Sequence, residues 1–337
     1  MFGLSFSDGQ TLITGTYRTG SEFLTHVLNC HPSLSATMYR VNLFRFIYRK
    51  YEPITDKSNQ LRSLRDTADR LYERYKITLP VDRIMDSFSL IRNLRYADWY
   101  DIVMSQLYLS ANPDLTHWAE KCQLVWREIP EFLGMFPQGK CVHIIRDPRA
   151  VLHSFKNYTN QPSPAYLGAV YNCYDSMRFA TIYNEIYGDR VKVIRYEDLL
   201  GDPLAVAQLV WEFLGLSAVD SIRYDGWTDA YGEPWYNNSS FYGNNADDHF
   251  SREKALYGWK ESLTEQEINF VSSICSVEMD RWGYDSGTFD FLPSSLIENM
   301  IFDSPQLRRA MHLMNRYGIG IQEFPASPTD PSTWEKR

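Results

Sequence analysis

The stretch Thr14-Gly15-Thr16-Tyr17-Arg18-Thr19-Gly20-Ser21-Glu22-Phe23-Leu24 follows an apolar run, Thr11–Ile13, and precedes a segment of helical periodicity. Gly15 and Gly20 have the Gly-x-x-x-x-Gly spacing of a phosphate-binding loop between a strand and a helix. Loops that grip Mg²⁺–ATP or Mg²⁺–GTP continue with Lys and then Ser or Thr; here Ser21 and Glu22 stand in those places. The cation has moved inside the loop, to Arg18. Backbone N–H groups opening a helix, with one arginine, suit a single phosphate-like anion. The pattern points to a metal-free phosphate or phosphosulfate donor rather than a Mg²⁺–nucleoside triphosphate.

Working outward, Lys140–Ile145 reads as a buried strand. Arg146-Asp147-Pro148-Arg149 closes it, with Pro148 at the first turn of the next helix and Ser154 about two turns in. Val191–Ile194 is a further strand, followed by Arg195-Tyr196-Glu197-Asp198. Gln123–Trp126 reads as another, leading into Arg127-Glu128-Ile129-Pro130. Between the first strand and these lie helical patterns at Gln60–Tyr75, Val81–Asn93 and Trp99–Ser110. The alternation predicts an α/β, P-loop-like three-layer fold: a central parallel sheet flanked by helices, with a helical insertion over about 55–120. The expected organisation is one domain over 1–287 and a C-terminal extension over 288–337, carrying one helix (Ser304–Arg316) and a loose end. In such folds ligands sit at the carboxyl ends of the strands, where four of these motifs fall.

The net charge of −8 argues against a broad nucleic-acid surface, while leaving room for a local basic pocket. No stretch is long enough for a membrane span, and Met1–Gln10 lacks the basic region of a signal peptide. Five dispersed cysteines without Cys-x-x-Cys spacing predict free thiols and a cytoplasmic location, and neither they nor the seven histidines suggest a metal site.

Together the two anion motifs resemble those of the PAPS-dependent sulfotransferases, nearest the bacterial soluble and carbohydrate-type branches; PAPS is 3′-phosphoadenosine 5′-phosphosulfate. The resemblance covers roughly 11–285. It implies that Arg18, Thr19, Gly20 and Ser21 hold the 5′-phosphosulfate, with Glu22 and Phe23 in the same cofactor-contacting loop. It implies that Arg146 and Ser154 hold the 3′-phosphate, with Arg149 nearby, and that Tyr196 lies near the adenine. Trp235-Tyr236-Asn237-Asn238-Ser239-Ser240-Phe241 resembles the family's Asn-Ser-Ser-Phe loop, which brings Ser240 and Phe241 to the nucleotide. The implied reaction moves a sulfuryl group from PAPS to a hydroxyl or amine of a small-molecule or carbohydrate acceptor and releases PAP, without a metal. The acceptor's identity and any homo-oligomer stay open. Alternatives from other classes are a small-molecule kinase with an atypical P-loop and a non-catalytic nucleotide-binding relative.

Two departures from the family matter. Glu22 stands where many relatives have Thr, and Tyr39 stands where carbohydrate-type relatives have an acid. The general base is then expected elsewhere. Glu128 is the first candidate, because a carboxylate in a partly closed pocket can gain proton affinity. His249 is the second. Arg127 would orient the acceptor or the sulfuryl oxygens. His153 and His143 read as a helix-packing and a core residue. The aromatic cluster Trp227, Tyr231, Trp235, Tyr236, Phe241 and Tyr242 reads equally as an acceptor-pocket lining or as packing within a long loop.

Overall fold

A computed structural model describes residues 9–38, 40–108, 114–159, 165–228, 234–235, 251–290 and 304–317, with isolated positions between 292 and 299. Five parallel strands form one sheet in the order β2-β3-β1-β4-β5: β1 Gln10–Gly15, β2 Leu34–Met38, β3 His117–Lys121, β4 Lys140–Ile145 and β5 Val191–Arg195. β1 lies at the centre and is buried along its whole length. Successive residues face opposite sides, as the strand period of two requires. Leu12, Trp118 and Cys141 enter one core, and Ile13, Ala119 and Val142 enter the other.

Helices cover both faces. The second core is closed by α1 (Ser21–Leu28), α9 (Tyr196–Gly201) and α10 (Pro203–Leu214). The first is closed by α2 (Leu43–Phe46), α3 (Lys57–Tyr75), α4 (Val81–Ser89), α5 (Tyr96–Tyr108) and α6 (Ile129–Met135). A third cluster joins α7 (Pro148–Thr159), α8 (Gly168–Ile186) and α13 (Glu265–Arg281). The short helices α11 (Arg252–Tyr257) and α12 (Trp259–Ser262) lead into α13.

Local signals set many of these ends. Pro148 opens α7. Asp202 accepts from the Ala205 N–H and starts α10, and Gly215, at φ 86°, ends it. Thr264 and Glu267 form a reciprocal capping box on α13.

One sequence expectation is corrected. The strand expected at Gln123–Trp126 lies at His117–Lys121 instead, inside the stretch expected to be helical. Its Glu120 and Lys121 look like surface residues but are buried. The Glu120 carboxylate is held by the backbone N–H groups of Val41 and Asn42 and by the Tyr100 hydroxyl. Gln123 and Leu124 form a turn, with Leu124 left-handed at φ 62°. The helix expected at Ser304–Arg316 forms over 305–317 and docks through Leu307 and Ala310, both fully buried against the third cluster.

From β1 the chain crosses to β2 on one side, and from β4 it passes to β5 on the other. The topological switch therefore lies between the carboxyl ends of β1 and β4, where the fold opens a ligand crevice.

Candidate anion site at the switch between β1 and β4

The first loop is left-handed at Arg18 (φ 67°) and at Gly20 (φ 78°), immediately before α1. A non-glycine residue held at positive φ costs about 1–3 kcal/mol and is characteristic of ligand sites. Thr19 is fully buried, and its hydroxyl donates to the Thr16 carbonyl at 2.8 Å, closing the turn. Both glycines also answer to close packing. A Cβ on Gly15 would sit 2.5 Å from the Ile144 carbonyl oxygen of β4, and one on Gly20 would sit 2.2 Å from the Tyr196 ring. Gly20→Ala should accordingly destabilise the fold by about 2–4 kcal/mol, overpacking adding to the left-handed penalty. Thermal unfolding checks this, and an unchanged Tm would refute the tight seat of Gly20 on Tyr196.

Arg146 ends β4 and is buried. Its Nη1 donates to the Arg18 carbonyl at 2.7 Å, its Nη2 donates to the Ala255 carbonyl, and its guanidinium lies 4.4 Å from the Tyr196 ring centroid. Its Nε is buried without a hydrogen-bond partner among the described residues. Ser154, two turns into α7, accepts from Arg18 Nε at 2.8 Å. The two motifs that the sequence presents as separate anion sites are thus one hydrogen-bonded unit, with Tyr196 packed between Gly20 and Arg146.

Arg149 does not face this unit. It forms a bidentate pair with Asp147 and lies 4.1 Å from the Trp259 ring centroid. Glu197 braces the motif from behind: it accepts from the Asp147 N–H at 3.0 Å and from the Tyr284 hydroxyl at 2.7 Å.

The turn after β3 borders the first loop. The Leu124 N–H donates to the Gly15 carbonyl at 3.2 Å, and Gln123 Nε2 donates to the Ser21 hydroxyl at 3.4 Å. The 3₁₀ turn Trp126–Glu128 follows. Glu128 is half-buried, and its Oε2 is buried without a hydrogen-bond partner among the described residues. Burial pushes its carboxyl up to about 7, against the opposing pull of Arg127. Arg127 carries a partner the sequence does not show: its Nε and Nη2 go to Asp175 at 2.8 and 2.7 Å, and its guanidinium lies 5.2 Å from the Phe179 ring centroid. His143 is fully buried and pairs with Ser176 Oγ at 2.7 Å; burial drives it down to about 3, so it is a neutral core residue. His153 pairs with the Ser262 hydroxyl, and burial, Arg146 and Lys156 all lower its proton affinity. Both histidines pack as expected.

Phe23 is turned from the loop into an aromatic cluster. It stacks on Trp235 at 6.1 Å and meets Trp227 at 6.0 Å, while His26 stacks on Trp227 at 5.0 Å. Trp227 and Trp235 therefore pack against α1. Glu22 lies in the first turn of α1, where a helix N-terminus favours a carboxylate. Tyr39, Tyr231, Tyr236, Ser240, Phe241, Tyr242 and His249 lie outside the described residues.

Sequence reasoning missed the segment 251–262. Ser251 caps α11 by accepting from the Lys254 N–H at 3.2 Å, and the Ala255 carbonyl and Ser262 hydroxyl close on Arg146 and His153. The capping serine was the one local signal for it. Among the described residues no helix is long and apolar enough to cross a membrane, and no group of three or more His, Cys, Asp or Glu could hold a metal ion.

The model of the "Sulfotransferase family" matches residues 11–220. No curated protein matches the chain. The sulfotransferase domain of the Synechococcus PCC 7002 olefin synthase is 19% identical, with a TM-score of 0.50 over 85% of this chain and 96% of that one. The sulfotransferase domain from the curacin biosynthetic pathway is 18% identical, with a TM-score of 0.50 over 82% of this chain and 98% of that one. At these identities the likeness establishes the fold.

Proposed function

From the premise that the chain belongs to the sulfotransferase family, we propose that it moves a sulfuryl group from PAPS to a hydroxyl or amine of a small-molecule or carbohydrate acceptor. The observation that carries this reading is the Arg18–Ser154–Arg146 unit at the switch between β1 and β4. It gathers two guanidiniums, a hydroxyl and a helix N-terminus in one place, a donor set that fits a nucleotide with two separate anionic groups. The buried, unpartnered Nε of Arg146 fits the same ligand.

In the proposed reaction the acceptor oxygen or nitrogen attacks sulfur, and the bond from sulfur to the bridging phosphate oxygen breaks. PAP leaves with that electron pair, and the acceptor proton passes to Glu128. Arg18 and the loop N–H groups neutralise charge building on the bridging oxygen. Tyr196 and Arg146 keep the loop in its left-handed form. The five cysteines are free thiols, which fits a reducing, cytoplasmic setting.

Calorimetry with PAP, AMP and ATP without Mg²⁺ tests the donor. Charge-assisted hydrogen bonds of about 1.5–3 kcal/mol each should favour PAP over AMP by on the order of 10²-fold. Equal affinity for PAP and AMP would overturn the reading, and a tighter Mg²⁺-dependent ATP site would replace it with the kinase alternative. Arg146→Ala should abolish the preference. Because Arg146 also holds the Arg18 carbonyl, AMP affinity should fall with it, whereas the sequence alone presents the first loop as independent of Arg146.

A further inference from the structure

Asp175 lies on α8 and is fully buried, yet it is an acid on a helix that the reaction does not otherwise use. Its Oδ1 accepts from Arg127 Nη2 at 2.7 Å; its Oδ2 accepts from Arg127 Nε at 2.8 Å and from Trp126 Nε1 at 2.8 Å. A carboxylate stripped of water persists when donors of this kind replace its hydration. All three come from the two residues directly preceding Glu128. The same face of α8 receives the turn twice more. Phe179 packs under the Arg127 guanidinium, and Ser176 holds His143, whose ring stacks on Trp126 at 6.3 Å.

We infer that Asp175 is a positioning residue for Glu128: it clamps the Trp126–Glu128 turn to α8 and neutralises the guanidinium next to the carboxyl. This rests on the proposed role of Glu128 as the base. β3 ends at Lys121, and the left-handed Leu124 reverses the chain, so the strand alone does not aim Glu128. The clamp on α8 does. The charged and titratable groups facing Glu128 are Arg127 in its own turn, Asp175 and Tyr183 from α8, and Glu131 from α6. Arg127 favours the carboxylate, while Asp175 and Glu131 favour the acid. Without Asp175, the uncompensated Arg127 would draw Glu128 toward a permanently ionised, weaker base.

The test is a carbon-13 titration of the Glu128 carboxyl in the full chain with PAP bound, its resonance identified by its loss in Glu128→Gln. Asp175→Asn should lower the titration midpoint by roughly one pH unit or more, leave PAP affinity unchanged and cut kcat by ~10–100-fold. Arg127→Lys keeps the charge and removes the two-pronged fork. It should leave the midpoint in place and lower kcat, and it tests the clamp even where Asp175→Asn fails to fold. An unmoved midpoint in folded, PAP-binding Asp175→Asn would overturn the neutralising role, and full kcat in Arg127→Lys would overturn the clamp. Retained turnover in Glu128→Gln would remove the base assignment. The titration would still decide whether Asp175 governs the carboxyl, so the two failures are read separately.

Discussion

Arg18→Ala is expected to lose ~10²-fold or more in turnover, the typical penalty for removing a preorganised group that meets charge developing in the transition state. The structure makes this substitution more informative than the loop sequence suggests. The Arg18 side chain reaches Ser154 in the second motif, and its carbonyl is held by Arg146 through the backbone, which alanine retains. Alanine also suits the left-handed φ of 67° no worse than arginine. Stability should therefore change by less than about 1 kcal/mol. Steady-state kinetics with labelled PAPS across alcohols, sugars and amines, alongside thermal unfolding, separates the two effects. Near-normal turnover would sink the loop assignment. A large drop in Tm with proportionate loss of activity would make Arg18 a structural strut.

Glu128→Gln carries the other large effect. The swap keeps shape and removes the proposed base, so kcat should fall ~10²–10⁴-fold while PAP affinity holds. The sign of the pH dependence follows from burial. With its carboxyl pushed up to about 7, Glu128 accepts a proton as carboxylate only above that range. Activity in the native chain should therefore rise through neutral pH and fall as the pH drops below it. Glu128→Gln should remove that acidic limb from whatever residual rate remains. Should activity survive in Glu128→Gln and collapse in His249→Ala, the base is His249.

Much of the site was legible because its pieces are short. The Gly15–Gly20 spacing, the proline after Arg146-Asp147 and the strand character of Lys140–Ile145 each lie within a dozen residues, and the structure places all three as read. β3 was not legible. Hydropathy reads Glu120 and Lys121 as solvent-facing, whereas the partners that let Glu120 be buried, Val41, Asn42 and Tyr100, come from distant parts of the chain. The pairing of Arg127 was equally hidden: a guanidinium beside a candidate base looks available until its buried counter-ion, 48 positions on, is known.

What the amino-acid sequence determined by itself was the fold class and the positions of the two candidate anion motifs, because strand period, helix caps and glycine spacing are local properties of a chain. What only the tertiary structure decided was how those motifs act on one another. Arg18 meets Ser154 across 136 positions, Arg146 meets Ala255 across 109, and Tyr196 fills the space that Gly20 leaves open. These contacts bind residues far apart along the chain through hydrogen bonds and packing whose geometry exists only after the parallel sheet has brought the ends of β1, β4 and β5 together.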